Sequence, residues 1–234
     1  MYTHLLFDVD NTLLDFDEAE RNAFIQTMRT HFVPWDEAML SRYVGINKQL
    51  WLDFEQGKVD KETVQLRRFE ILLSGTALSS AAVNRTFQEN LALHAALMPY
   101  AEAVCERLSA QAELSIVTNG VGATQRQKIT RTGISRFFHH LFISEEIGFP
   151  KPDPRYFAHV MNTLGNPECN SVLIIGDSLT SDIQGGMNAG FVTCWFNPRK
   201  EPVPPGYRVD FEIVDLRELE QIVTGAPLDR VANR

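Results

Sequence analysis

Asp8 and Asp10 stand two residues apart in "LLFDVDNTLLDF", directly after the apolar run His4–Phe7. On an extended strand, residues i and i+2 point the same way, so both acids could face one spot just past the strand. Two neighbouring carboxylates repel unless a cation or a shared proton relieves them, and one metal ion would do so. Taken alone, the pair is also explained as turn or capping acids. Three further polar groups follow apolar runs. Thr118 closes "LSIVTNG", where its hydroxyl and nearby backbone N–H groups could hold a phosphate oxygen. Lys151 lies between two prolines in "GFPKPDP", a stiff stem for a cation held at a defined place. Asp177 and Asp182 lie in "VLIIGDSLTSDIQGG". Each of these has an ordinary explanation by itself: a strand end before a tight Asn119-Gly120 turn, a solvated loop lysine, and a helix start capped by Thr180 or Ser181 with Asp182 at its positive end.

The elements that would position these residues follow from short runs that are apolar throughout. They are His4–Phe7, Leu114–Val117, His140–Ile143, Val172–Ile175 and Phe191–Phe196. Continuous apolarity, without alternation, suits strands buried on both faces of a parallel sheet. Helical patterns lie between them. Tyr100–Ala110 has helical spacing. Pro154–Leu164 follows Asp153 as N-cap and meets Gly165 as its stop. Asp215 and Glu218 precede "LEQIV" as a capping box. Gly185, Gly186 and Gly190 would allow a helix to approach the sheet closely. Alternating strand and helix implies an α/β fold, a doubly wound parallel sheet with a Rossmann-like core. In such sheets ligands bind beyond the carboxyl ends of the strands, where all four polar groups would converge. That convergence, more than any single group, points to one functional site.

Residues 16–97 read differently. Every piece has apolar residues three and four apart and none resembles a buried strand, so this span is an all-helical insertion. Pro99 marks the return to the core. The domains expected are a core of 1–15 and 98–234 and a helical domain of 16–97, with a polar tail over 225–234. The formal net charge of −8 argues against a nucleic-acid polymer as partner, while an anionic small molecule remains compatible if a metal or local cations reverse the field. Cys105, Cys169 and Cys194 form no C-x-x-C pair, which suggests reduced thiols, and the N-terminus carries no signal-peptide pattern. A cytoplasmic, membrane-free monomer is the expectation.

Taken in order, "DVDNT", "VTNG", "KP" and "GDSLTSD" resemble the four motifs of the haloacid dehalogenase superfamily of hydrolases, and the helical insertion resembles that superfamily's cap, which closes over the site. The resemblance implies Asp8 as the nucleophile that forms an aspartyl-phosphate and Asp10 as the general acid and base. It implies Mg²⁺ held by the Asp8 side chain, the Asp10 backbone carbonyl and Asp177, with Asp182 supporting that shell. Thr118 and the Asn119 backbone would bind the phosphoryl group, and Lys151 would neutralise it together with Asp8. The presence of Asp10 favours phosphate esters, because relatives that cleave carbon–halogen bonds or phosphonates lack that second acid. "INKQLWLDFEQGKV", "GFPKP" and "TCWFNP" are similar to the bacterial 5'-nucleotidase branch with pyrimidine preference, implying a small phosphorylated metabolite, a nucleoside monophosphate, as substrate. A sugar-phosphate or general metabolite phosphatase, a phosphomutase and a non-catalytic phosphate or Mg²⁺ sensor are the alternatives. Trp51 and Phe54 are candidates to cover a base and Lys48 to reach a phosphate or base, against the plainer role of helical-domain core.

Overall fold

The computed structural model describes residues 1–225; beyond Gly225, the expected tail lies outside the described residues. Six parallel strands form one sheet. They are β1 (His4–Phe7), β2 (Glu113–Thr118), β3 (His140–Ile143), β4 (Val172–Gly176), β5 (Val192–Phe196) and β6 (Phe211–Ile213), in the spatial order β3-β2-β1-β4-β5-β6. This is the doubly wound order, and its reversal falls at β1, whose neighbours are β2 and β4. The first five strands coincide with the five apolar runs to within a residue or two. β4 is buried throughout and β1 at all but its first residue, as strands covered on both faces must be. The sixth strand has no counterpart among those runs. It is three residues long and occupies the sheet edge, and its central Glu212 breaks the apolarity.

The helices follow in chain order: α1 (Phe16–Thr30), α2 (Glu37–Glu55), α3 (Lys61–Leu72), α4 (Ser80–Leu93), α5 (Ala101–Ser109), α6 (Gly122–Arg131), α7 (Ser144–Ile147), α8 (Pro154–Thr163), α9 (Gln184–Ala189) and α10 (Leu219–Thr224). Two compact units result. Met1–Asp15 and the chain from Ala96 onward make one, and Phe16–Ala95, containing α1 to α4, makes the other. The core resumes two residues before 98 because the crossing segments pair. Asp15 N donates to Ala96 O (3.0 Å), Met98 N donates to Leu13 O (2.8 Å), and Leu14 bridges Leu97.

Local signals act as expected at several ends. Asp153 accepts from Arg155 N (2.9 Å) ahead of Pro154, and Gly165 turns away from α8 at φ +79°. Asp215 and Glu218 form a reciprocal capping box before α10. The start of the segment leading to α9 differs. Neither Thr180 nor Ser181 caps it; Ser178 does, its hydroxyl accepting from Ser181 N at 3.2 Å. A wide π-type turn over Leu179–Ile183 begins there and carries Asp182 into the interior, fully buried, instead of onto an exposed first turn. Gly186 provides the expected close approach to the sheet, against Ile174 of β4, whereas Gly185 lies against Phe157 of α8 instead. Gly190 instead terminates α9 in the left-handed region.

In the helical unit, Phe24, Tyr43, Phe69 and Phe87 form an aromatic centre. Through that apolar core runs a polar network. Glu20 of α1 accepts from Asn47 Nδ2 of α2 (2.6 Å). Arg68 of α3 donates to Asn47 Oδ1 (3.0 Å), to Asn84 Oδ1 of α4 (2.7 Å) and to Tyr43 Oη (3.4 Å). All five side chains are buried. Burial pushes the Glu20 carboxyl up to about 7, with Arg68 opposing. Among the described residues no helix is long and apolar enough to cross a membrane.

Candidate active site

Asp8 follows the last residue of β1 at the point where the sheet order reverses, and its N–H donates to Ile175 O of β4 (2.9 Å). Thr118 ends β2, Asp177 follows β4, and Asp182 comes back to the same place on the wide turn. Carboxylate oxygens of Asp8, Asp177 and Asp182 all lie within 4.8 Å of one another. Gly176 makes this possible: a Cβ there would fall 2.2 Å from Asp182 Oδ2. The ammonium of Lys151 lies between two of the acids. It donates to Asp8 Oδ1 (2.6 Å), to Asp182 Oδ1 (2.6 Å) and to Val117 O (2.9 Å).

Lys151 is therefore no solvated loop lysine; it is 1% exposed. Its stem is gripped by Asn119, whose Nδ2 donates to Lys151 O and whose Oδ1 accepts from Lys151 N, both at 2.9 Å. The "TNG" turn thus braces the lysine loop through an amide side chain. Only the backbone of Asn119 figured in the reading of the sequence.

Three carboxylates face one lysine, and the electrostatics register the excess. Burial pushes Asp8 up to about 7, the Lys151 charge opposing and the Asp182 charge adding. Asp177 stands well above the usual carboxylate range, through burial and then the charges of Asp8 and Asp182. Burial would lower the Lys151 pKa, but Asp182 and Asp8 raise it past its ordinary value, so the lysine is charged. The remaining negative charge, borne on hard oxygen donors, is what a divalent cation would offset. Both Asp182 oxygens are already engaged, Oδ1 by Lys151 and Oδ2 by Ser178 N (3.2 Å), whereas Asp177 is less deeply buried than Asp8 or Asp182.

Asp10 turns to other partners. Its Oδ1 pairs with Lys128 Nζ, and its Oδ2 accepts from Gln125 Nε2 (2.7 Å). Gln125 Nε2 also reaches Thr118 Oγ1 (3.0 Å), which in addition accepts from Gly120 N (3.0 Å). Gln125 and Lys128 both belong to α6, and neither was among the residues singled out from the sequence. The inward face of this helix is Thr124, Gln125, Lys128 and Ile129, three of them polar, so it shows no apolar stripe to read. Gly120 reads in the sequence as part of a tight turn, and only the structure shows its other use. Its φ is not positive, so no turn requires it, yet a Cβ there would fall 2.0 Å from Gln125 Nε2. The Trp51, Phe54 and Lys48 candidates lie in the helical unit. Trp51 meets Phe54 edge-on at 5.6 Å within a small apolar cluster, and Lys48 is exposed.

A doubly wound α/β core that gathers acids and a buried lysine beyond its strand ends, with a helical unit inserted after the first strand, defines a Rossmann-like hydrolase. The chain belongs to the haloacid dehalogenase-like hydrolases, whose family model matches residues 5–196. It is 38% identical to the putative HAD-hydrolase YfnB of Bacillus subtilis over 224 residues, 95% of each chain. It is 32% identical to the pyrimidine 5'-nucleotidase YjjG of Escherichia coli, covering 94% of this chain and 96% of that one. With the pyrimidine 5'-nucleotidase PynA of Streptococcus pneumoniae it shares 36% identity over 84% of each chain. A crystal structure of YfnB bound to magnesium, which reveals interdomain movement in that protein, superposes with a TM-score of 0.90 over 95% of this chain and 98% of that chain.

Proposed function

We propose that this phosphoric monoester hydrolase acts on nucleoside 5'-monophosphates, pyrimidines first, through an aspartyl-phosphate on Asp8. The observation that carries the catalytic assignment is the buried Lys151 ammonium shared by Asp8 and Asp182, which holds the Asp8 carboxyl in place at the reversal point of the sheet. The substrate class rests on the likeness to YjjG and PynA along nearly the whole chain.

Asp8 attacks phosphorus, the bond from phosphorus to the ester oxygen breaks, and that oxygen takes a proton from Asp10. Water then attacks the same phosphorus and gives a proton back to Asp10. The bond to Asp8 breaks and inorganic phosphate leaves, so one water is consumed and both acids return to their starting states. Thr118 Oγ1 accepts two hydrogen bonds in the structure, and its own hydrogen is left to donate to a phosphoryl oxygen. Lys151 spends three donors on protein acceptors, so its effect on the phosphoryl group is exerted through charge and through the placement of Asp8. Mg²⁺ fits the carboxylate set, with Asp8, Asp177 and the Asp10 carbonyl to hold it and Asp182 to support them. When bound it supplies positive charge to the carboxylates and to the phosphoryl oxygens. Selection among leaving groups is assigned to the helical unit acting as a cap, where remote binding is turned into transition-state stabilisation.

The test is phosphate release from UMP, dUMP, other nucleoside monophosphates and sugar phosphates in the presence of Mg²⁺. Pyrimidine nucleotides should lead in kcat/KM. A sugar phosphate ahead by tenfold, about 1.4 kcal/mol in the wrong direction, would sink the nucleotidase reading and leave a general phosphatase.

A further inference from the structure

We infer that Lys128 and Gln125 are positioning residues that hold the Asp10 carboxylate in the orientation its proton transfers need. The inference rests on the reading of Asp10 as the acid and base of the phosphatase reaction.

Lys128 and Gln125 are 1% and 2% exposed, and they sit three residues apart on the inward face of α6. Each takes a different oxygen of Asp10, so the carboxylate is fixed in rotation as well as in position. The Asp10 side chain itself remains 28% exposed, while both residues that hold it are buried. Gln125 also bonds Thr118 Oγ1, so one amide sets the acid–base group against the hydroxyl assigned to the phosphoryl group. Two features show that this grip is built in. Gly120 supplies the space that the Gln125 amide occupies. The helix is also anchored from outside: Glu145 accepts from Gly122 N (2.9 Å) at an N-terminus with no side-chain cap of its own, and Arg126 pairs with Glu146 at 2.6 Å.

Stability alone does not account for Lys128. Desolvating an ammonium offsets most of what its ion pair returns, and replacing both members of such a pair by apolar residues is often neutral or stabilising, so the pair as a whole is a poor device for stability. Its ion pair with Asp10 gives a lysine there a role in placing that carboxylate. A carboxylate free to rotate would spend most of its time misdirected, and misplacement of a reacting group lowers rate steeply.

The experiment measures kcat/KM, which covers the steps through departure of the leaving group. The substrates are UMP, whose alkoxide needs a proton, and 2,4-dinitrophenyl phosphate, whose phenolate does not. The proteins are the full unaltered chain, Lys128→Met, Asp10→Asn and the double variant. Lys128→Met should lose about 10–100-fold on UMP and less than about threefold on the aryl phosphate. In the double variant it should add nothing to the loss caused by Asp10→Asn, because a residue that acts through another has no effect once that other is gone. Equal loss on both substrates, or additive losses in the double variant, would overturn the inference and leave Lys128 a structural ion pair. If the unaltered chain releases phosphate from neither substrate, the phosphatase reading fails and the inference falls with it. Should circular dichroism show Lys128→Met to be unfolded, Lys128→Gln, which keeps a donor and loses the charge, serves in the same cycle and is expected to move in the same direction.

Discussion

The two acids at the end of β1 differ in surroundings more than their spacing suggests. Asp8 is buried against a lysine and two further acids, while Asp10 is half-exposed and clasped from α6. Asp8→Asn should therefore fold and be inactive. The amide is nearly isosteric and relieves crowding among carboxylates, but it is no nucleophile. Phosphate release should vanish while thermal unfolding in the absence of Mg²⁺ stays within a few degrees of the unaltered chain; retained turnover would remove Asp8 from its role. Asp10→Asn should cost on the order of 10²–10⁴-fold in kcat/KM for an alkyl phosphate, the usual size of acid–base assistance.

At the scale of elements, the four helices of the inserted unit each bring a polar residue into a shared apolar core, and Arg68 links three of those helices. Arg68→Met should destabilise by roughly 2–5 kcal/mol, because the amide oxygens of Asn47 and Asn84 would stay buried without their donor, at about 1–3 kcal/mol each. Chemical denaturation would show this as a lower midpoint. Glu20 makes the same unit pH-sensitive. Its folded pKa of about 7 lies above its ordinary 4.5, so the folded state binds the proton more tightly. The associated stability is fully present below 4.5 and is lost as pH rises through 7. Glu20→Gln keeps an acceptor for Asn47 and cannot ionise. Its unfolding free energy should gain on that of the unaltered chain between those pH values, by a difference on the order of 1–3 kcal/mol. Parallel pH curves for the two proteins would contradict the assignment. The network was open to a reading of register, since Asn47 falls in the stripe Leu40, Tyr43, Leu50, Phe54, and Arg68 lies between Val64 and Leu72.

For the whole molecule, the acid cluster links folding to a metal. Three carboxylates facing one lysine repel in the metal-free chain, so Mg²⁺ should raise the melting temperature, by about 2.7 kcal/mol of stability at a hundredfold excess over Kd. Asp177→Asn should abolish most of that rise and the activity together. Exhaustive chelation should stop turnover, Mg²⁺ should restore it, and Ca²⁺ should inhibit, because calcium takes more ligands in a looser geometry. A melting curve unmoved by Mg²⁺ would contradict the metal assignment.

The sequence alone carried the strands, the helical insertion and the main polar motifs, because each is a local signal. Burial on both faces writes continuous apolar runs, helices write their period and caps, and a parallel sheet obliges residues at strand ends to share one crevice. The short edge strand Phe211–Ile213 escaped because only one side of it is paired and its middle residue is charged. Tertiary structure alone decided that Lys151 is buried between Asp8 and Asp182 and braced by Asn119. It also decided that Ser178 starts the turn burying Asp182, and that α6 clasps Asp10 with Lys128 and Gln125. These partners lie 31 to 143 residues apart wherever they join different strands. Register can show that a polar side chain turns inward, but its own neighbourhood does not name its partner, so only the folded chain reveals which buried charge answers which.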